Sequence, residues 1–361
     1  MSHRARRIAL LGATGSIGRQ AIEVVAANPE LELCALQSGS TPLAELAAGL
    51  RVSEFQVGGD PIQLLERTSP DVVLNAVVGF AGVRATLWAL ENGRTLALAN
   101  KESLVAAGAL ATDAAARGGG SIIPVDSEHS AVYQCLEGRA PESIAGLVLT
   151  ASGGPFRGRA KAELASVTPA DALAHPTWTM GPKITVDSAT LANKGLEVIE
   201  AHWLFGVPYD RIEVVVHPTS VVHSLVRLID GALLAHLGQP DMRVPISYAL
   251  NHPRRVVTPV APLALGGLTL AFEPPDIDAF PMLELARQAG ESGGTAPCAY
   301  NAANEVAVAL FLAGRVAFLD IAATVENVLM NASWPVAHDL AELEHADAEA
   351  RRIAADWIAR L

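Results

Sequence analysis

Arg7-Ile8-Ala9-Leu10-Leu11-Gly12-Ala13-Thr14-Gly15-Ser16-Ile17-Gly18 stands near the start of the chain, and its reading decides the fold. The apolar run at 8–11 has the length of a fully buried strand. Glycines follow at 12, 15 and 18, and a helical pattern over 17–27 stops before Asn28-Pro29. Strand, glycine turn and helix in that order present unpaired helical N–H groups to a pyrophosphate, and glycine lets the backbone come close to it. The spacing is G-x-x-G-x-x-G, a variant of the more usual fingerprint, and a glycine turn alone also reads as a plain structural turn.

Outward from this unit the alternation continues. Apolar runs at 33–36, 72–77, 96–99 and 121–125 read as strands, and 43–50, 83–91 and 104–116 as helices between them. Such alternation predicts a parallel sheet covered by helices on both faces. Residues 51–70 look short for another strand-helix unit, so the sheet is expected to lack one. After residue 127 the pattern changes. A strand at 143–149 enters the glycine-rich loop 151–155, and 175–182, with two prolines, reads as a mobile loop. A helix over 191–204 precedes strands at 212–216, 224–229 and 232–237, expected as an antiparallel sheet. Helical periodicity returns at 283–289, 299–313, 318–330 and 347–359. The fold class is therefore α/β: an N-terminal Rossmann-like parallel sheet domain over 1–126, a central α+β catalytic domain over 127–252 and a C-terminal α-helical bundle over 282–361. The proline-rich stretch 253–281 is expected as the linker.

Composition narrows the function. Of 361 residues, 50% are hydrophobic, enough for sizeable cores without metal or disulfide help, and the formal charge of −12 argues against a nucleic-acid partner. No run of about 18 apolar residues predicts a membrane span. Arg4, Arg6 and Arg7 precede an apolar stretch that runs into the glycine turn rather than a leader-like segment. Three scattered cysteines, Cys34, Cys135 and Cys298, suit a reducing, cytoplasmic setting. Lysine is scarce, four against 22 arginines, and two of the four sit in Asn100-Lys101-Glu102 and Asn193-Lys194-Gly195. A compact ammonium kept in such a chain suits a site that needs a point charge.

Three segments carry chemistry. The second strand ends in Gln37-Ser38-Gly39-Ser40-Thr41, with no carboxylate to repel a 2′-phosphate, which favours NADPH over NADH. Asp126 and Glu128, in Val125-Asp126-Ser127-Glu128-His129, follow a strand at the carboxyl edge where parallel sheets bind ligands. Their oxygens suit Mg²⁺ or Mn²⁺, although the pair alone also reads as a solvated acidic turn. In Val186–Glu197, Asn193 and Glu197 share a helical face. Lys194 and Ser188 offer a charge and a hydroxyl to a phosphate, and Glu197 a further metal ligand; a capped surface helix is the plainer reading. Ser152 in its glycine loop is another anion-binding candidate, and His175, Trp178 and Met180 are placed to close over a ligand.

Taken together, residues 12–18, Asn100-Lys101-Glu102-Ser103, 125–129, Ser152-Gly153-Gly154-Pro155-Phe156, His175-Pro176 with Trp178, 186–197 and Asn301-Ala302-Ala303-Asn304-Glu305 resemble the motifs of the 1-deoxy-D-xylulose 5-phosphate reductoisomerase family, in order over nearly the whole chain. The resemblance implies an NADPH- and metal-dependent rearrangement and reduction of a small sugar phosphate, by a homodimer with a lid over 175–184. It implies Asp126, Glu128 and Glu197 as ligands of Mg²⁺ or Mn²⁺. Ser152, His175, Trp178, Ser188, Asn193 and Lys194 would hold the substrate, with Lys101, Ser127 and Glu128 at its reacting end. Thr14, Gly15, Ser16, Ile17, Gly39, Asn100, Glu102 and Gly181 would line the NADPH site, and Glu128, Lys101 and His175 are the catalytic candidates. Ser40 departs from the family, which commonly has a basic residue in that turn. The rival readings are another NADPH oxidoreductase, such as a semialdehyde dehydrogenase, and a non-catalytic nucleotide-sensing relative. The first would want a nucleophilic cysteine near a histidine, which no cysteine context here suggests.

Overall fold

The structure, a computed structural model, describes residues 4–361 and divides into two compact units. The first unit takes the chain up to Ser103, Gly108–Tyr133 and Asp241–Pro262; the second takes Leu104–Ala107, Gln134–Pro240 and Leu263–Leu361.

In the first unit, strands β1 (Arg6–Leu11), β2 (Leu31–Ser38), β3 (Phe55–Val57), β4 (Val72–Asn75), β5 (Thr95–Leu98) and β6 (Ser121–Pro124) form one sheet in the order β3-β2-β1-β4-β5-β6. Every pairing is parallel. The connections are helices α1 (Ser16–Ala26), α2 (Ala44–Leu50), α3 (Ile62–Thr68), α4 (Val83–Glu91) and α5 (Lys101–Gly118). The expected gap at 51–70 is thus corrected: β3 and α3 supply the strand-helix unit in three and seven residues. Helix α6 (Ser127–Leu136) follows β6, so Glu128 lies in a first helical turn rather than on a strand end.

In the second unit, β7 (Ile144–Ala151) leads through α7 (Pro169–Ala172), α8 (Pro182–Ala189) and α9 (Ala192–Phe205) to β8 (Ile212–Val216), β9 (Val222–Leu228) and β10 (Leu233–Leu237). Their sheet runs β10-β9-β7-β8. It is mixed rather than antiparallel, because β7 and β8 pair in parallel while β9 runs against both β7 and β10. A parallel pair needs a long crossover, and the helices between β7 and β8 provide it.

Helix α10 (Arg243–Asn251) belongs to the first unit, a difference from the grouping 127–252 read from sequence. Its Ile246, Ala249 and Leu250 join the core that also holds Ile8, Leu10 and Leu74. Arg6 ties it down, donating to the Leu250 and His252 carbonyls at 2.9 and 3.2 Å. Helices α11 (Met282–Ser292), α12 (Ala296–Leu312), α13 (Phe318–Met330) and α14 (Leu340–Ile358) complete the second unit, with α12 packed against the other three. Among the described residues no helix is long and apolar enough to cross a membrane.

Candidate active site and nucleotide-binding turn

The glycine turn is built by close approach. Gly12 has φ +80°, and a Cβ there would stand 2.3 Å from the Ala76 carbonyl oxygen. A Cβ on Gly18 would meet the Gly12 oxygen at 2.3 Å, so this glycine lets α1 pack onto its own turn. Gly15 caps α1 without any side-chain hydrogen bond, leaving the helix end for an anion, and Gly15 and Ser16 are exposed. Gln37, not singled out from the sequence, is buried and braces the turn: its Oε1 accepts from the Gly12 N–H at 3.3 Å. Ser38 donates to the Thr41 carbonyl at 2.5 Å, so this hydroxyl is engaged inside the turn, whereas Gly39, Ser40 and Thr41 are exposed.

At the carboxyl ends of β5 and β6, adjacent strands bring Lys101 and Asp126 together as a buried ion pair. Burial works against the Asp126 carboxylate, but the Lys101 ammonium and His129 outweigh it and hold its pKa well below the usual range. Ser127 donates to the Glu128 carboxylate at 2.5 Å. Asn100 is buried, its amide donating to the Gly79 carbonyl at 2.9 Å and the Glu102 carboxylate at 3.0 Å, with Ser103 donating to its Oδ1. Asn100 and Glu102 therefore brace the 79–82 turn.

The second unit assembles a second cluster. His175 Nδ1 accepts from the N–H groups of Thr177 and Trp178 at 3.2 and 3.0 Å, which puts the proton on Nε2. That Nε2 lies 3.0 Å from Ser152 Oγ and 3.1 Å from Ser188 Oγ. Burial lowers the His175 pKa, in keeping with a neutral ring. Ser152 is set by Gly153 and Gly154, both at positive φ. A Cβ on Gly154 would sit 2.8 Å from the Ser188 carbonyl oxygen, so the loop and α8 meet at backbone distance. Between α8 and α9, buried Leu191 adopts φ +62°, a strained turn that sets Ser188 and the Asn193-Lys194 pair on consecutive helix ends. Glu197, 1% exposed, accepts from Asn193 Nδ2 at 2.5 Å and pairs with the buried Lys194 ammonium. Trp178 and Met180 are half-buried in the irregular stretch before α8, and Gly181 is the α8 N-cap. The three cysteines are free, and burial raises each thiol pKa, the opposite of an activated nucleophile.

His223 of β9 is a strongly perturbed histidine of this unit. Burial, reinforced by His236 and more weakly by His217 and Lys194, lowers its pKa from 6.5 to about 4. A depressed folded pKa means that the unfolded chain binds the proton first, so stability is present above pH 6.5 and lost as pH falls towards 4. The loss amounts to about 3 kcal/mol. Urea unfolding of wild type and His223→Asn across that window is expected to show a steeper acid loss in the wild type; parallel curves would refute it.

A doubly wound parallel sheet opened by an uncapped glycine turn is the architecture of dinucleotide-binding proteins, and the second unit adds Ser152, His175 and Ser188, donors of the kind an anion needs. Family comparison makes this specific. The sequence model of 1-deoxy-D-xylulose 5-phosphate reductoisomerase matches residues 8–58 and 43–108, and two models of its C-terminal domain match 122–205 and 237–353. A 1-deoxy-D-xylulose 5-phosphate reductoisomerase from Leifsonia xyli subsp. xyli is 56% identical over 329 residues, 90% of this chain and 91% of the relative. One from Mycobacterium bovis is 51% identical over 352 residues, covering 91% and 85%. The Zymomonas mobilis enzyme solved in complex with NADPH superposes with a TM-score of 0.90 at 40% identity, covering 99% of this chain and 100% of that one. A DOX-P reductoisomerase solved with NADPH, fosmidomycin and magnesium gives 0.90 at 37% identity, covering 98% of each. The chain belongs to the 1-deoxy-D-xylulose 5-phosphate reductoisomerase family.

Proposed function

We propose that the chain is an NADPH- and divalent-metal-dependent reductoisomerase that converts 1-deoxy-D-xylulose 5-phosphate to 2-C-methyl-D-erythritol 4-phosphate, for isoprenoid precursor synthesis. The observation that carries it is family membership over nine-tenths of the chain. Asp126 and Glu128 of the first unit and Glu197 of the second are the metal ligands in this reading, from their places in the family's motifs. An all-carboxylate donor set suits magnesium or manganese, and buried carboxylates such as Glu197 call for cationic partners, so the residues fit the metal. When bound, the metal supplies Lewis-acid stabilisation of the rearranging carbon skeleton and NADPH supplies the hydride.

The chain's own residues do the rest. Ser152, Ser188 and the His175 Nε2–H converge on one point, as donors to a substrate phosphate, with Asn193 and Lys194 at the next helix end. That grip is remote from the reacting carbons and contributes orientation. Lys101, Ser127 and Glu128 serve the reacting end, with Glu128, Lys101 and His175 the catalytic residues. Trp178, with Met180, belongs to a lid over 175–184 that excludes water. Thr14, Gly15, Ser16 and Ile17 take the NADPH pyrophosphate at the start of α1, and Gly39, Asn100, Glu102 and Gly181 complete that site. The first unit carries the glycine turn for NADPH together with Lys101, Asp126, Ser127 and Glu128, and the second carries the phosphate-binding residues, Glu197 and the C-terminal helices. A homodimer is in keeping with β10 as an outer strand that exposes Leu233 and Leu237, and a cytoplasmic setting with three free thiols.

With no carboxylate in the 37–41 turn, kcat/KM is expected to be at least about tenfold higher with NADPH than with NADH, the scale of one charge-assisted hydrogen bond. Equal values in a paired assay would remove that turn from cofactor choice. The function itself is tested by adding 1-deoxy-D-xylulose 5-phosphate to enzyme, NADPH and magnesium and identifying the product by mass spectrometry and NMR.

A further inference from the structure

We propose that Asn304, on α12 of the C-terminal bundle, is a positioning residue for the phosphate-binding end of the site, acting through Asp187 of α8. The inference rests on the function proposed above and goes beyond it, because neither residue belongs to the substrate, metal or cofactor set.

Asp187 and Ser188 are neighbours on α8 with different surroundings. Ser188 is half-buried and meets His175, whereas Asp187 is 1% exposed and accepts from Asn304 Nδ2 at 2.8 Å. Asp187 also pairs with Lys183 of the same helix at 2.9 Å. Helix α8 has eight residues and no side-chain cap, so local energetics do little to fix its orientation. The strained Leu191 turn follows at once and requires support from outside. Asn304 supplies that support from a fully buried position. Apolar packing alone would hold the helix close, but a hydrogen bond onto one carboxylate also fixes its rotation and its axial register.

The same bundle helix reaches α9. Tyr300, one turn before Asn304, donates to the Met282 carbonyl at 3.0 Å. A Cβ on Gly195 would stand 3.0 Å from its hydroxyl and 2.6 Å from the Ala286 Cβ. Helix α12 thus meets α8 through Asn304 and lies behind α9 at the residue after Lys194. Its own position is tied to α14 by Arg351, which pairs with Glu305 at 2.6 Å, while Asn301 orients Glu305 from the same helix at 2.8 Å and Asp347 orients Arg351 at 2.7 Å. The Asn-Ala-Ala-Asn-Glu motif therefore joins the bundle scaffold to the two helix ends that carry Ser188 and Lys194.

The test compares wild type with Asn304→Ala, Asn304→Asp and the swap Asn304→Asp/Asp187→Asn, which restores an amide facing a carboxylate. Melting curves establish folding, and KM for 1-deoxy-D-xylulose 5-phosphate, KM for NADPH and kcat are measured well below the transition. Asn304→Ala, which leaves Asp187 its Lys183 partner, is expected to raise substrate KM about tenfold, with NADPH KM unchanged and kcat within about threefold. Asn304→Asp is expected to raise it further, and the swap to return it to within about threefold of wild type. Unchanged substrate KM in folded Asn304→Ala overturns the proposal. So does a parallel rise of both KM values, the mark of general loosening. If the single variants fail to fold, the swap decides: wild-type substrate KM upholds the proposal, and a raised KM or a swap that also fails to fold overturns it. An inactive wild type would be a failure of the proposed function, visible before any variant is assayed.

Discussion

Glu197→Gln is expected to lower kcat/KM for 1-deoxy-D-xylulose 5-phosphate by about three orders of magnitude at limiting magnesium, the scale of a several-kcal/mol loss of metal stabilisation. Glutamine keeps the volume of the buried side chain and an oxygen to accept from Asn193 but strips the charge facing the Lys194 ammonium, so activity is compared well below the variant's own melting transition. What it removes is one of three negative charges offered to a divalent ion. Asp126 and Glu128 then remain as the anionic ligands, and affinity falls together with the Lewis-acid contribution. Raising magnesium is expected to restore part of the rate. A folded Glu197→Gln enzyme with full activity at limiting metal would exclude Glu197 as a ligand.

Lys194→Ala is expected to act twice. Its ammonium is a charge-assisted donor to the substrate phosphate, and removing it weakens binding by on the order of 1.5–3 kcal/mol, read as a higher KM with a smaller change in kcat. The same ammonium is the buried partner of Glu197. Deleting one side of a buried pair destabilises by about 3–5 kcal/mol, and the loss is expected to shrink when magnesium is added, because the cation then compensates the carboxylate. Urea unfolding with and without magnesium, beside steady-state kinetics, separates the two effects. An unchanged substrate KM would remove Lys194 from the phosphate grip, and stability loss unaffected by magnesium would separate Glu197 from the metal.

These residues differ in how visible they are before folding. Residues 8–18 can be read locally, because a buried strand, a glycine turn and a helix have their own patterns. Lys101 and Asp126 follow from topology, since neighbouring parallel strands put their carboxyl ends side by side. The short β3 and α3 escape because three and seven residues leave too little sequence for a period to show. Helix α6 begins Ser-Glu-His-Ser and reads as a polar turn. Helix α10 is buried almost all round and so lacks an amphipathic stripe, and its return to the first unit depends on partners such as Arg6, 244 residues away. Strand direction is not encoded locally either, which is why the parallel pairing of β7 with β8 inside an otherwise antiparallel sheet is not legible. Asp187 and Asn304 lie 117 residues apart, and only the packing of α12 on α8 makes them a pair.

The opening glycine turn and the three carboxylates make one claim: this chain couples a metal-assisted rearrangement to hydride transfer from NADPH. The most direct measurement follows NADPH absorbance after addition of 1-deoxy-D-xylulose 5-phosphate, first with magnesium, then with chelator, then with magnesium restored. Substrate-dependent loss of absorbance that stops on chelation and resumes on repletion is the predicted result. Turnover that continues undiminished in metal-free enzyme would contradict it.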